Sequence, residues 1–490
     1  MNGLWKHCKF DIKLGQFLIY IVISSAITSA LIFFPAQYSI LAAVGALALA
    51  ITAARPEIGI LMITILISSI VFTEELPLIP IGIGSIHISD ILLTFMLAMI
   101  IYKRLFNSKF KLVATPLDLP LGIFILASIT SAFISIVIYG NDFNEVIRIL
   151  RFITYYLLFF VVTNLIREKK QVDFLVKSLL FIAVIVSMAM LLQAVLGESV
   201  KITPGRVETA TTFEQAYKAT RVLPPGRLLV FVLLISAICS VISTHLKPLY
   251  RSGYFYLTMI FGVGVVLTYN RSYWLAAFIC LGILFLRISG EGRIRMVYMT
   301  ASITVVSVIL FLCLASFGLI IEGNLSSISN RFSSLFSAKE LGKSTSVKFR
   351  IMENEYAFQQ IVKHPIIGIG LHNDYRPPGI YGRDDSLTRY IHNSYLYILT
   401  DIGLIGLMSY LWFYFGFIIR NIRRCASIED HKLKYMIEGF AVAAIGTLFI
   451  AVVDSMFLEW FSVVTLSTIA GLSEVAVTLN DDINQPVSTN

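Results

Sequence analysis

A chain of 490 residues in which 57% of positions are hydrophobic, 14% are charged and mean hydropathy is +0.81 cannot be a water-soluble domain, whose composition runs near 25% charged. Apolar runs of about 20 residues are long enough to cross a bilayer as helices, and irregular backbone is excluded from lipid. The net charge of +9 is gathered mostly in short loops, as positive-inside bias produces, and so does not indicate nucleic-acid binding.

The apolar runs predict an all-α, polytopic membrane protein of about 14 spans (12 to 14). They fall near residues 16–34, 36–54, 58–72, 88–102, 119–138, 149–165, 174–196, 226–244, 254–270, 272–289, 297–320, 394–419, 437–453 and 457–477. Pro35 and the Arg55-Pro56 pair are the only breaks around the second and third runs, so one of these could be re-entrant. Residues 1–196 then carry the first seven spans, 197–320 a long loop and four more, 321–393 a large cap, 394–480 the last spans and 481–490 a polar tail.

Basic residues orient the bundle. Lys6, Lys9 and Lys13, then Arg55, Lys103 and Arg104, Arg167 and Lys169, Lys247 and Arg251, Arg293 and Arg295, and Arg420 to Arg424 all fall on one side if the N-terminus is cytoplasmic. The C-terminus is then cytoplasmic too. The first apolar run is long enough to span and lacks a small-residue cleavage pattern, so it reads as a retained span of an inner (plasma) membrane protein. Cys8, Cys239, Cys280, Cys313 and Cys425 are scattered, and neither a disulfide framework nor a metal site is expected from them.

Two loops on the opposite, extracytoplasmic side are too long to be passive connections. The first, 197–226, ends in Thr220-Arg221-Val222-Leu223-Pro224-Pro225-Gly226-Arg227, which sets Arg221 and Arg227 at the outer mouth of a span behind a stiff Pro-Pro turn. The second, 321–391, has a helix-like middle at 346–363 that carries Arg350 and apolar positions including Ile351, Phe358 and Val362, and it stops at Pro365. Arg271 falls between two spans with almost no loop around it. An ionisable group at that depth is a functional candidate by default, against the alternative that it snorkels to headgroups beside Tyr273 and Trp274. Arginine forks onto phosphate oxygens and tolerates partial burial, so Arg221, Arg271 and Arg350 at one mouth suit a diphosphate.

The cap closes on His392-Asn393-Ser394, nine residues before Gly403-Leu404-Ile405-Gly406 at the head of a span. A histidine at that boundary can take a proton from a membrane-anchored substrate. His364, before a proline at a helix end, reads as a cap, and His372 has no Gly-x-x-Gly helix behind it. Arg148, at another outer helix start, reads as a solvated charge. Asp384-Asp385 is adjacent rather than spaced and reads as a turn, so no metal-binding Asp-x-Asp pattern is present.

His392-Asn393 with the spaced Gly403 and Gly406 resembles the outer-loop signature of the O-antigen ligase and polymerase superfamily. The stretch from Arg350 to His364-Pro365-Ile366-Ile367-Gly368-Ile369-Gly370 is similar to that family's Arg, helix and Pro-x-x-Gly-x-Gly block. Arg271 resembles the Arg of its Ser-Arg motif, with Asn270 in place of the serine. Arg221 lies where the family places an Arg before a Pro-containing helix start, with Gly226 in place of the usual Asn. The resemblance covers about residues 215–425.

It implies a metal-independent, inverting membrane glycosyltransferase without a cofactor. The donor would be an undecaprenyl-diphosphate-linked saccharide and the acceptor a sugar hydroxyl on a lipid-linked repeat unit or a lipid A core. His392 would be the general base, and Arg221, Arg271 and Arg350 would bind the diphosphate, with Arg227, Asn393, Gly403 and Gly406 in support. The chain's length leans toward a polymerase, with ligase as the alternative within the family. A transporter or flippase is the alternative of another class, and a structural subunit binding anionic lipids or glycans is the third.

Overall fold

The computed structural model describes Ile21 and residues 36–76, 79–81, 84–212, 215–243, 248–288, 290–316, 345–379 and 388–484. The expected span at 16–34, save Ile21, lies outside them, as do Cys8, 321–344 of the cap and Asp384-Asp385.

Helices α1 (Ala36–Ala54) and α2 (Pro56–Ile67) are separated by Arg55, and Pro56 starts α2 where its missing N–H costs nothing. A short hairpin, β1 (Ile79–Ile81) and β2 (Gly84–Ile86), leads to α3 (Ile88–Phe106). Then come α4 (Asp118–Val137), α5 (Phe143–Thr154), α6 (Leu158–Leu165) and α7 (Lys169–Leu196). A second hairpin, β3 (Arg206–Thr212) and β4 (Gln215–Leu223), precedes α8 (Arg227–Ser243). The chain continues through α9 (Gly253–Leu267), α10 (Arg271–Arg287) and α11 (Gly290–Ser316) to the cap helix α12 (Thr345–Lys363). It ends with α13 (Ser394–Asp401), α14 (Gly403–Arg424), α15 (His431–Ile450) and α16 (Trp460–Asn484).

Six of these stretches are long and apolar enough to cross a membrane: Asp118–Val137, Phe143–Leu165, Lys169–Leu196, Gly403–Ser427, His431–Ile450 and Trp460–Asn480. The chain is therefore an integral, mainly helical membrane protein. Several other expected spans are shorter apolar helices among the described residues, including Pro56–Ile67, Arg227–Ile242 and Gly253–Leu267. The loop at 197–226 is not irregular, since β3 and β4 pair antiparallel from Arg206–Leu223 to Thr212–Gln215 and satisfy their backbone there. The helical expectation holds in the main, with these two short hairpins added.

Helices α8, α15 and α16 form the centre and α4, α7 and α14 the periphery. Every α8 residue from Arg227 to Ile242 is buried, whereas Leu126 and Phe133 of α4 and Phe181 of α7 are more than 60% exposed, as lipid-facing residues must be in a bilayer protein. The α8–α15 crossing is close because Gly439 lies on Ser236, where a Cβ would approach Ser236 Cα to 2.3 Å. Gly226 likewise packs on the end of α2. Its N–H donates to Ser69 O at 3.3 Å, and a Cβ there would meet Ser68 O at 2.9 Å, which accounts for glycine where the family pattern has asparagine.

The cap is locked to the bundle by the 365–370 turn. Ile369 N donates to Thr400 O at 2.8 Å, Gly370 N to Asp401 O at 3.1 Å and Leu404 N to Pro365 O at 2.9 Å. Gly403 has φ 79°, and a Cβ there would lie 2.2 Å from Ile366 O. Gly403→Ala is therefore expected to lower stability by at least about 1–3 kcal/mol through backbone strain alone. A thermal melt of the purified variant in detergent checks this, and an unchanged Tm would contradict the joint described.

Candidate active site

The His392-Asn393-Ser394 segment carries one local task per residue. Asn393 is the N-cap of α13, its Oδ1 accepting from Tyr395 N at 3.0 Å and Leu396 N at 3.2 Å. Ser394 anchors the segment to the loop between α15 and α16: its N–H donates to Ala451 O at 2.8 Å and its Oγ to Asp454 O at 2.6 Å. With both neighbours fixed, His392 has little freedom in its backbone position.

Its ring is fixed as well. His392 Nδ1 lies 2.8 Å from Glu353 Oε2 and 3.1 Å from Oε1, and Glu353 is only 1% exposed. Such a bond places the proton on Nδ1, which leaves Nε2 as the ring's acceptor, and the His392 side chain is 29% exposed. Phe349 and Tyr390 meet the imidazole edge-to-face, with centroids at 6.2 and 4.9 Å. A base oriented by a buried carboxylate is the pairing that general-base catalysis needs.

Glu353 belongs to α12, one turn after Arg350. Phe349, Glu353 and Ala357 form its buried stripe at i, i+4 spacing, while Ile351, Phe358 and Val362 are more than half exposed. Tyr375 shares its hydroxyl proton between Tyr390 O at 3.1 Å and Glu353 Oε1 at 3.4 Å. Burial and the Glu353 charge push the Tyr375 phenol above its ordinary value, so it remains a donor. The Nε of Arg350 is buried, with no hydrogen-bond partner among the described residues.

Arg221, Arg227 and Arg271 belong to other elements. Tyr269 turns the α9–α10 corner at φ 46°, a strained conformation for a bulky residue, and Asn270 caps α10 so that Arg271 is its first residue. Arg221 reaches this corner from β4, its Nε donating to Thr268 O at 3.2 Å and its Nη1 to Glu208 Oε1 at 2.8 Å. Arg227 heads α8 and is nearly buried. It pairs with Glu459 at 3.0 Å and Asp454 at 3.8 Å and lies 4.7 Å above the Phe461 ring.

A polar chain runs from Tyr390 to Arg227. Tyr390 Oη donates to Glu459 Oε1 at 3.2 Å and is hydrogen-bonded to Ser455, while Glu459 holds Arg227. Tyr273, two residues after Arg271, lies beside Arg227. Burial and the neighbouring Asp454 push the Glu459 carboxyl above its usual range even with Arg227 adjacent.

Arg350 and His392 thus share the α12 layer, and Arg221 and Arg271 share the α9–α10 corner. Arg227 lies between them, with its charge already matched by two acids. Asn393, Gly403 and Gly406 belong to the frame. The sequence reading missed Glu353, Tyr390, Asp454 and Glu459. For Glu353 a local signal existed, a carboxylate at i+4 from Phe349 and i−4 from Ala357. Glu459 offered none, because its partners lie on other helices.

Residues 256–411 match the family described as O-antigen ligase, and that segment contains Arg271, Arg350, Glu353, His392, Gly403 and Gly406. This segment is therefore similar to the O-antigen ligase superfamily over about a third of the chain. Arg221 and Arg227 lie before the matched segment. Among curated proteins, none matches the chain. The match supports, in general terms, a membrane glycosyltransferase of the ligase and polymerase type.

Proposed function

We propose that the protein moves a saccharide from undecaprenyl diphosphate to a sugar hydroxyl, with inversion and without a metal, and that it acts as a polymerase of lipid-linked repeat units. The His392–Glu353 pair carries this reading. In the reaction, His392 Nε2 takes the acceptor's hydroxyl proton while that oxygen bonds to the anomeric carbon. The bond from that carbon to phosphate breaks, and the charge gathers on the departing diphosphate. Arg221, Arg271 and Arg350 hold that diphosphate, and Arg227 positions the loop that supports His392. Glu208 already neutralises part of the Arg221 charge, which weakens its hold on the diphosphate. Ligation to a lipid A core uses the same chemistry with another acceptor.

In the same reading the chain is an inner-membrane protein of about 14 spans, with both termini cytoplasmic and the cap outside. The test is the lipid-linked saccharide in cells carrying His392→Ala or Arg271→Ala, with membrane protein level matched to wild type. Single repeat units on the carrier are expected to accumulate. Long chains on the carrier would instead make the protein a ligase, and an unchanged pattern in both variants would remove the catalytic assignment.

A further inference from the structure

A cavity of about 730 Å³, within the usual range for small-molecule sites, lies in the cap against the N-terminal part of α5. Its charged lining is Glu145 and Arg148 from α5 with His372, Asp374, Arg376 and Arg389 from the cap. It is one aromatic layer from the base, since the Arg376 guanidinium lies 5.4 Å above the Phe349 ring that meets His392 edge-on.

The lining charges do not balance. Arg148 is in close contact with Glu145, which also accepts a 3.3 Å contact from His372 Nε2. Burial, with Arg389 adding to it, holds His372 below its ordinary value, so it adds no full positive charge. Asp374 pairs with Arg389 at 3.1 and 3.4 Å and bonds Thr388. Arg376 is left over. It is 5% exposed, its Nε is buried with no hydrogen-bond partner, and among the described residues no carboxylate lies within ion-pair distance of it. Stacking on Phe349 and Tyr375 offsets part of the desolvation of a buried cation but supplies no counter-charge.

Among the described residues, the excess is one positive charge, flanked by two carboxylates. That pattern repels a diphosphate, which brings several negative charges, and accommodates a single carboxylate attached to a body rich in hydroxyls. We propose that this cavity binds a carboxylate-bearing saccharide residue, with the carboxylate on Arg376 and sugar hydroxyls donating to Glu145 and Asp374. The inference rests on the glycosyl-transfer reading only in taking the ligand to be part of the transferred or accepting glycan.

The test is equilibrium binding to the full chain in lipid nanodiscs, with trigalacturonate as the acidic probe, maltotriose as the neutral one and inorganic pyrophosphate as competitor. Trigalacturonate should bind at least tenfold more tightly than maltotriose, with the preference lost in Arg376→Gln and kept in Arg376→Lys and His392→Ala. Equal binding of the two sugars by the unaltered protein, displacement of trigalacturonate by stoichiometric pyrophosphate, or a preference that survives Arg376→Gln would each overturn the site. The first two are read without any variant, so a misfolded variant cannot hide the answer. Loss of this site with His392→Ala still inactive overturns this inference alone. An intact site in a His392→Ala protein that transfers normally overturns only the function proposed above.

Discussion

Glu353→Gln should cut kcat by about 100-fold or more and leave KM for the lipid-linked donor within a few-fold, because the loss falls on proton transfer. The amide keeps the shape of the carboxylate. It can, however, donate to Nδ1 as readily as accept from it, and in that orientation the proton moves to Nε2, where the acceptor's proton must go. The carboxylate also stabilises the imidazolium that forms once His392 has taken the proton, and a neutral amide does not. Steady-state kinetics on the purified enzyme separate this from a folding defect. A kcat equal to wild type would mean that Glu353 only packs the cap, whereas a rise in KM with kcat intact would give it a role in binding.

Arg227→Ala should be the most destabilising single change at this end of the bundle, by about 3–5 kcal/mol, the range for removing one partner of a buried ion pair. Arg227 is 9% exposed and faces both Asp454 and Glu459, so its loss leaves two carboxylates together in a poorly solvated pocket. One of them must then take up a proton, and the Tyr390 hydrogen bond that braces the cap changes with it. Adding Glu459→Gln should recover part of the loss, since the double variant no longer buries two like charges. Denaturation of the single and double variants in one detergent decides the matter. A double variant no more stable than Arg227→Ala would show that packing on Phe461, 4.7 Å away, accounts for the effect instead of charge.

What could be read from the chain beforehand divides along physical lines. The apolar runs that became α4, α7, α14 and α15 were legible because length and hydropathy are local properties. The hairpin β3–β4 was not, since a polar loop and a polar two-stranded ribbon have similar composition. His392 stands out in the sequence because it ends a polar insert just before Gly403-Leu404-Ile405-Gly406 at the head of a span. Its partner Glu353 is 39 residues away in sequence and looks like any solvated acid until α12 is packed. Arg221, Arg271 and Arg227 were found as single charges, but whether each already had a counter-ion depended on Glu208, Asp454 and Glu459, and no periodicity carries that information. His372 reads from the sequence as lacking a Gly-x-x-Gly helix and Arg148 as a solvated charge, yet both line one cavity.

The attachment of Ser394 and Tyr390 to residues 451–459 also makes the His392 segment depend on a later part of the chain. Those residues leave the ribosome after α12, α13 and α14, and until they do the His392 segment lacks its hydrogen-bonding floor at Ala451, Asp454 and Ser455. On the function proposed above, a chain that stops before Glu459 is expected to be inactive, because His392 then lacks that floor.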